Sequence, residues 1–218
     1  MADAVDSRAK ILASIRMSLG ERRQDTVIAA EYAGIMRDYR RPEERTREAL
    51  LEHFEDRLRE YDAGVYRAST TSIAQVVAEI LASRGKAGLA MPAGIPAEWL
   101  PDGFVFTDAS GLDEHQLDRV EGVLTACTVA IAETGSIALQ NAPGQGARQM
   151  SLVPDYHLCV VFASQVVASV PDAFDRLMPT ASLPTTFISG PSATADIEMT
   201  RIKGVHGPRF FDVVIVAD

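Results

Sequence analysis

A chain of 218 residues with 47% hydrophobic content can build one sizeable core, so a single globular domain with at most a small appendage is expected. The formal net charge of -9 argues against nonspecific nucleic-acid binding, which needs a Lys/Arg surface to displace counterions. No basic-then-apolar leader opens the chain and no apolar run approaches the roughly eighteen residues of a membrane span, so the expectation is a soluble, cytoplasmic protein.

The chain begins with Ile11, Leu12, Ile15 and Leu19 at helical spacing, between Ser7 as a possible N-cap and Gly20 as a stop. Residues 21–41 are charged and aperiodic and read as a linker, with at most a short helix around Ala29–Tyr39. Pro42 is expected to open a second helix, whose stripe is Leu50, Leu51, Phe54, Leu58 and Tyr61. Residues 1–62 are therefore assigned to an N-terminal helical arm and 63–218 to an α/β domain.

From Val65 the chain alternates short strands and helices. Val65–Ala68 reads as a strand, and Ser72 with Gln75 has the capping-box pattern that opens a helix over Ile73–Ala82. Lys86–Met91 and Phe104–Thr107 follow as strands, separated by a helical turn near Trp99, and Asp113–Leu117 is a brief helix. This βαβα texture with short apolar strands predicts a mainly parallel sheet covered on both faces.

Val120–Ala132 is a long apolar run that reads as a strand, followed by a turn at Glu133-Thr-Gly and a second strand from Ser136. Glu133 is expected either to meet a cation or line a cleft edge, because an unpaired buried carboxylate is costly, or to be an ordinary exposed turn residue. Asn141–Arg148 carries G-x-G but fails the dinucleotide fingerprint, since no third glycine follows and Pro143 precedes the pair; it reads as a plain loop, with Arg148 opening a short helix. A strand enters at His157, a helix starts at Pro171, Leu183–Ile188 leads into a polar segment, and Arg209–Val216 closes as a last strand.

That polar segment, Ile188–Glu198 with Gly204–Pro208, concentrates Ser189, Gly190, Ser192, Thr194, Asp196, Glu198 and His206. Ser192 or Thr194 could cap a helix start that cradles an anion, or simply cap it, with Asp196 and Glu198 favouring its dipole. His206 could serve as a general acid/base with Asp196 or Glu198, or be a turn histidine bonded to backbone. Glu133, Asp196 and His206 are thus the catalytic candidates, with Thr134, Gly135, Ser136, Ser189, Gly190, Ser192, Thr194 and Glu198 as ligand-binding candidates. A G-x-S-x-G hydrolase elbow is absent. Cys127 and Cys159 read as buried free thiols; two cysteines without C-x-x-C and four scattered histidines match no iron-sulfur or zinc spacing, so no metal or other cofactor is expected.

Ala132-Glu-Thr-Gly-Ser-Ile-Ala-Leu139, Leu152-Val-Pro-Asp-Tyr-His157, Ile188–Glu198 and Gly204-Val-His-Gly-Pro208, in that order and spacing, resemble the LUD-domain family, in its lactate utilisation protein C branch. The resemblance covers about residues 65–217. It implies a three-layer α/β/α domain similar to the NagB, ribose-5-phosphate isomerase and CoA-transferase group, and a role in oxidising L-lactate to pyruvate beside iron-sulfur lactate utilisation proteins. In that setting the chain would be the cluster-free subunit. The resemblance assigns no catalytic residue. It also marks a departure at Ala193, where many members of the family carry a basic residue; if that residue helps hold an anion, the cradle here would be weaker or would rely on Arg201, Lys203 or Arg209. The other expectation is an independent enzyme or sensor that binds a small phosphorylated, CoA-linked or carboxylate metabolite at the C-terminal loops.

Overall fold

Apolar residues dominate both faces of the longest strands, and the architecture follows from what covers those faces. The computed structural model describes residues 2–20, 23–38, 45–194, 202–203 and 207–218, with the backbone alone for 2–6, 194 and 202–203. Two units are distinguished, Met1–Arg40 and Arg41–Asp218. The first contains α1 (Ala2–Leu19) and α2 (Asp25–Ala33). Helix α1 begins well before Ser7, which is therefore not its cap, and its Ile11, Leu12, Ile15 and Leu19 are exposed. Helix α2 starts after Gln24 and stops at Gly34, several residues earlier than the expected short helix.

The second unit opens with α3 (Arg47–Glu60), capped by Thr46, whose Oγ1 accepts from Ala49 N at 3.3 Å. Pro42, the expected opener, lies outside the described residues. Of the stripe expected for this helix, Leu51, Phe54 and Leu58 are buried in the core of this unit, with Leu50 packed against it, so the helix placed in the arm of residues 1–62 packs with the larger unit. Its Glu55 is buried too, and Arg59 and Arg67 donate to it at 2.8 and 2.5 Å, which explains how a charged helix can sit inside.

The chain continues through β1 (Gly64–Ser69), α4 (Ile73–Ser83), β2 (Gly88–Met91), β3 (Val105–Asp108), α5 (Glu114–Leu117), β4 (Val123–Thr125), β5 (Val129–Ile131), β6 (Ser136–Gln140), β7 (Tyr156–Phe162), β8 (Val166–Val167), α6 (Val170–Leu177), β9 (Thr185–Ile188), β10 (Ala193–Thr194), β11 (Ile202–Lys203) and β12 (Phe210–Ala217). The expected capping box at Ser72 does not form: Ser72 Oγ turns back to accept from Ser69 N at 2.9 Å.

Six strands make an all-parallel sheet in the order β1-β12-β7-β4-β2-β3. Alternation along β12 sorts its two faces. Phe211, Val213 and Ile215 pack with α3 and a second sheet, while Val214 and Val216 pack with Ile73, Val77, Ile80 and Leu81 of α4. The three expected layers are present, and the second sheet, β8-β5-β6-β9, is an addition. Its Ala130 and Ile137 face the main core, whereas Val129 and Ile131 face Ala173 and Leu177 of α6.

The run Val120–Ala132, read as one strand, is two. Strand β4 belongs to the parallel sheet and β5 to the second sheet, so the chain changes sheets near Cys127. Cys127 and Cys159 are free and buried there, and hydrogen bonding between them, followed by burial, pushes the Cys127 thiol up. Among the described residues no helix is long and apolar enough to cross a membrane.

Candidate functional site

The order of the parallel strands creates a topological switch. From β2 the chain moves outward to β3, and from β4 it proceeds the other way through β7 and β12. Strands β2 and β4 therefore diverge, pairing only at Ala90 and Val123. Ligands of open α/β sheets bind in such a crevice, at the carboxyl ends of the strands. Here the loop after β6 is wedged into it: Gly144 N donates to Ala93 O at 2.8 Å, beyond β2, and Gly144 O accepts from Ala126 N at 2.7 Å, beyond β4. Buried Gln145 fixes the loop's root, its Oε1 accepting from Gln140 N at 2.7 Å and from Thr128 Oγ1 at 2.9 Å. The segment read as a plain loop is thus a structural part of the site.

Two clefts flank the short 3₁₀ helix Arg148–Ser151 that follows this loop. Gln149 and Met150 line a cleft of about 630 Å³ at the ends of β2 and β3. Arg148, Ser151 and Leu152 line a smaller one of about 150 Å³, closed by Ser189, Gly190 and Ser192 and by Gly207 and Pro208. Ser192 N donates to Pro208 O at 2.8 Å, which holds the two ends of the polar segment together.

The smaller cleft unites part of the expected site. Antiparallel pairing of Ile137 with Ile188 brings the Glu133–Ser136 turn beside Ser189. Thr134 Oγ1 donates to Ser136 Oγ at 2.8 Å, and the Ser136 and Ser189 hydroxyls lie 2.6 Å apart. The glycines in the two turns serve a close approach. Gly135 has φ +61°, and a Cβ there would lie 2.8 Å from Arg57 Cβ; Gly190 has φ +81°, and a Cβ would lie 2.5 Å from Tyr61 Cβ. Both turns rest on the end of α3, so this part of the motif is first of all a packing device.

Glu133 is exposed in its turn, anchored through its backbone N–H to Ala168 O at 3.1 Å, and it does not line the smaller cleft. Asp196, Glu198 and His206 lie outside the described residues, as does Arg201, while only the backbone of Thr194 and Lys203 is described. Thr194 falls in β10, paired antiparallel with β11, rather than at a described helix start. Arg209 is committed elsewhere: its Nε and Nη2 donate to the Asp155 carboxylate at 2.5 and 2.7 Å, which holds that carboxyl below its usual range.

The cation of the smaller cleft is instead Arg148. Its Nη1 donates to Ser151 Oγ at 3.2 Å, and it has no carboxylate within ion-pair distance among the described residues. Its charge reaches His157, a fully buried imidazole on β7 whose Nε2 lies 2.7 Å from Thr125 Oγ1. Burial, and then the Arg148 charge, hold His157 down to about 3, so it is neutral at ordinary pH. Sequence reading placed Arg148 only as the start of a short helix, because nothing in the local pattern links position 148 to position 189. Among the described residues no group of three or more His, Cys, Asp or Glu side chains is arranged to hold a metal ion.

Comparison with known proteins gives a consistent picture. A model of the LUD domain matches residues 51–216. The chain is 41% identical to a lactate utilization protein C of Deinococcus radiodurans over 174 residues, 78% of this chain and 81% of that protein. It is 37% identical to a lactate utilization protein C of Shouchella clausii over 48% of this chain and 47% of the relative. The crystal structure of a DUF162 family protein from Deinococcus radiodurans superposes with a TM-score of 0.68 at 34% identity, covering 79% of this chain and 99% of that one.

Proposed function

Because the chain belongs to the LUD domain family, we propose that it serves lactate utilisation as the cluster-free subunit of an iron-sulfur system that oxidises L-lactate to pyruvate, holding a small carboxylate in the Arg148 cleft. Relatives named lactate utilization protein C support the role in lactate utilisation. The observation that carries the site is Arg148, a cation without a carboxylate partner among the described residues, facing hydroxyl groups across a cleft of about 150 Å³. Guanidinium pairs with carboxylate through two parallel N–H bonds, and serine hydroxyls can donate to the remaining lone pairs. A cleft of this size suits a three-carbon acid and not a nucleotide. Two cysteines cannot supply the four thiolates that an ordinary iron-sulfur cluster needs, so the electrons would pass to partner proteins.

Reconstitution tests the reading. Lactate-dependent dye reduction is expected only when iron-sulfur partner proteins are added to the purified chain, and to fall by about tenfold or more in Arg148→Ala, the scale of one lost charge-assisted contact. Robust lactate oxidation by this chain alone would sink the subunit reading. Unchanged activity in Arg148→Ala would sink the assignment of the cleft.

A further inference from the structure

The cleft of about 630 Å³ at the ends of β2 and β3 has no part in the function proposed above, and its lining differs in kind from that of the Arg148 cleft. Among the described residues none of its lining groups is Lys, Arg, His, Asp or Glu. A phosphate or carboxylate entering it would lose water without meeting a countercharge, which is strongly unfavourable. The walls are largely alanine and glycine, which present flat backbone rather than projecting side chains, and buried Leu117 and Met150 contribute apolar surface. Side-chain hydrogen bonding is confined to Ser110, Asn141 and Gln149. Each amide offers a donor and an acceptor side by side, the pattern that a heterocyclic base carries on its edge.

The volume falls within the roughly 300–1,000 Å³ typical of small-molecule sites, and the cleft opens at the carboxyl ends of β2 and β3, beside the loop that fills the switch between β2 and β4. We infer that this cleft binds an uncharged purine or pyrimidine nucleoside. The base lies against the alanine-glycine wall and the Met150 thioether, and Asn141 and Gln149 read its edge. Thioethers favour aromatic rings, and stacking on a flat wall needs no charge. The 3₁₀ helix Arg148–Ser151 is then a partition, with Gln149 and Met150 on the nucleoside side and Arg148 and Ser151 on the other.

Isothermal titration of the full-length protein with adenosine, guanosine, cytidine and uridine, and with AMP as a charged counterpart, tests this. At least one nucleoside is expected to bind saturably at one site per chain, with AMP no tighter than adenosine. Ala147→Trp places an indole in the cleft from an exposed position with extended backbone (φ -77°, ψ 159°) that any residue adopts. It is expected to weaken binding by more than about tenfold, because the occupied volume is lost to the ligand. Asn141→Leu, at an exposed position, removes one reading group and should weaken binding by about tenfold, the value of one or two hydrogen bonds. Arg148→Ala should leave nucleoside affinity within about twofold while abolishing carboxylate binding, so failure of either site is visible separately. Absence of saturable binding by all four nucleosides at millimolar concentration, binding of AMP alone, or wild-type affinity in both Ala147→Trp and Asn141→Leu would each overturn the inference.

Discussion

Arg84 grips both carboxylate oxygens of Asp212, with Nε donating to Oδ2 at 2.9 Å and Nη2 to Oδ1 at 2.6 Å. Asp212 is fully buried in β12, and the Tyr156 hydroxyl donates to it at 2.9 Å. Burial, then the adjacent carboxylate, push the Tyr156 phenol up, so it remains a donor. The cluster joins the C-cap of α4 to the starts of β7 and β12, at the amino ends of the strands. Such a position serves to hold the fold and not to do chemistry, because the cluster lines neither cleft and the larger one lies at the opposite ends of the strands. Asp212→Ala leaves the buried Tyr156 phenol and a guanidinium that is 30% exposed without their carboxylate, and is expected to lower unfolding free energy by about 2–4 kcal/mol in urea melts. Tyr156→Phe, which removes one hydrogen bond, should cost about 1–2 kcal/mol and leave carboxylate binding at Arg148 unchanged. A loss below about 1 kcal/mol for Asp212→Ala would show that the pair is not what joins α4 to the sheet.

The two motif glycines give a contrasting prediction. Gly135 and Gly190 combine positive φ with Cβ positions 2.8 and 2.5 Å from α3 atoms, whereas Gly85 has φ +62° and open space around it. Alanine at position 85 pays only the left-handed backbone cost of about 1–2 kcal/mol. At 135 or 190 the helix must also move, which adds about 1–3 kcal/mol of overpacking strain. Chemical denaturation should therefore rank Gly85→Ala above both other variants in stability. Equal losses at all three positions would refute the seating of the turns on α3.

Much of this fold is legible in sequence because local pattern and burial agree. Strands β7 and β12 are apolar runs broken only by His157 and Asp212, as expected for strands covered on both faces, and the hairpin at Glu133–Gly135 announces itself by its small residues. The sheet change near Cys127 is not legible. Val123 and Val129 are both fully buried, and an apolar run does not say which of two sheets will pair with it. The apolar stripe of α3 is legible, and its Leu51, Phe54 and Leu58 are buried, but its place in the larger unit is not, because that rests on Glu48 and Glu55 of the helix pairing with Arg67 of β1, a contact between separate elements. At the site, sequence marked Ser136, Ser189 and Gly190, which converge, but not Arg148. Convergence of residues 148 and 189 depends on a loop inserted between diverging strands, a relationship that exists only once the sheet is formed.

The unit Met1–Arg40, the part of the arm before α3, should be dispensable for folding of the larger unit. No described residue of Met1–Arg40 belongs to any of the four hydrophobic clusters, and the described apolar residues of α1 and α2 are exposed. Deleting residues 1–40 is expected to shift the midpoint of a urea melt by less than the equivalent of about 0.5 kcal/mol, the range of changes remote from a core. Activity in the reconstituted lactate assay is a separate readout, and its loss with unchanged stability would assign the arm to partner binding.

Protonation of His157 makes stability depend on pH in a window that few other groups share. The imidazole is fully buried, its Nε2 lies 2.7 Å from Thr125 Oγ1, and its Nδ1 has no hydrogen-bond partner among the described residues. Folded, it titrates near 3; unfolded, at the ordinary value of 6.5. Between these values the unfolded chain binds the extra proton. The contribution to stability is therefore complete above pH 6.5 and is lost progressively as pH falls toward 3. From pH 6.5 to 5.0 the loss approaches roughly 2 kcal/mol, at about 1.4 kcal/mol per pH unit. Carboxylates such as Asp155, whose folded value is depressed, add their own loss below about pH 4, so the window from 7 to 5 isolates the histidine. His157→Gln is expected to be less stable at pH 7, because it disturbs a packed interior beside Phe211, but to show a shallower fall on acidification by about one proton. Urea melts of both proteins at pH 7, 6 and 5 decide the matter. Parallel pH profiles would mean that His157 is not the group whose burial sets acid sensitivity.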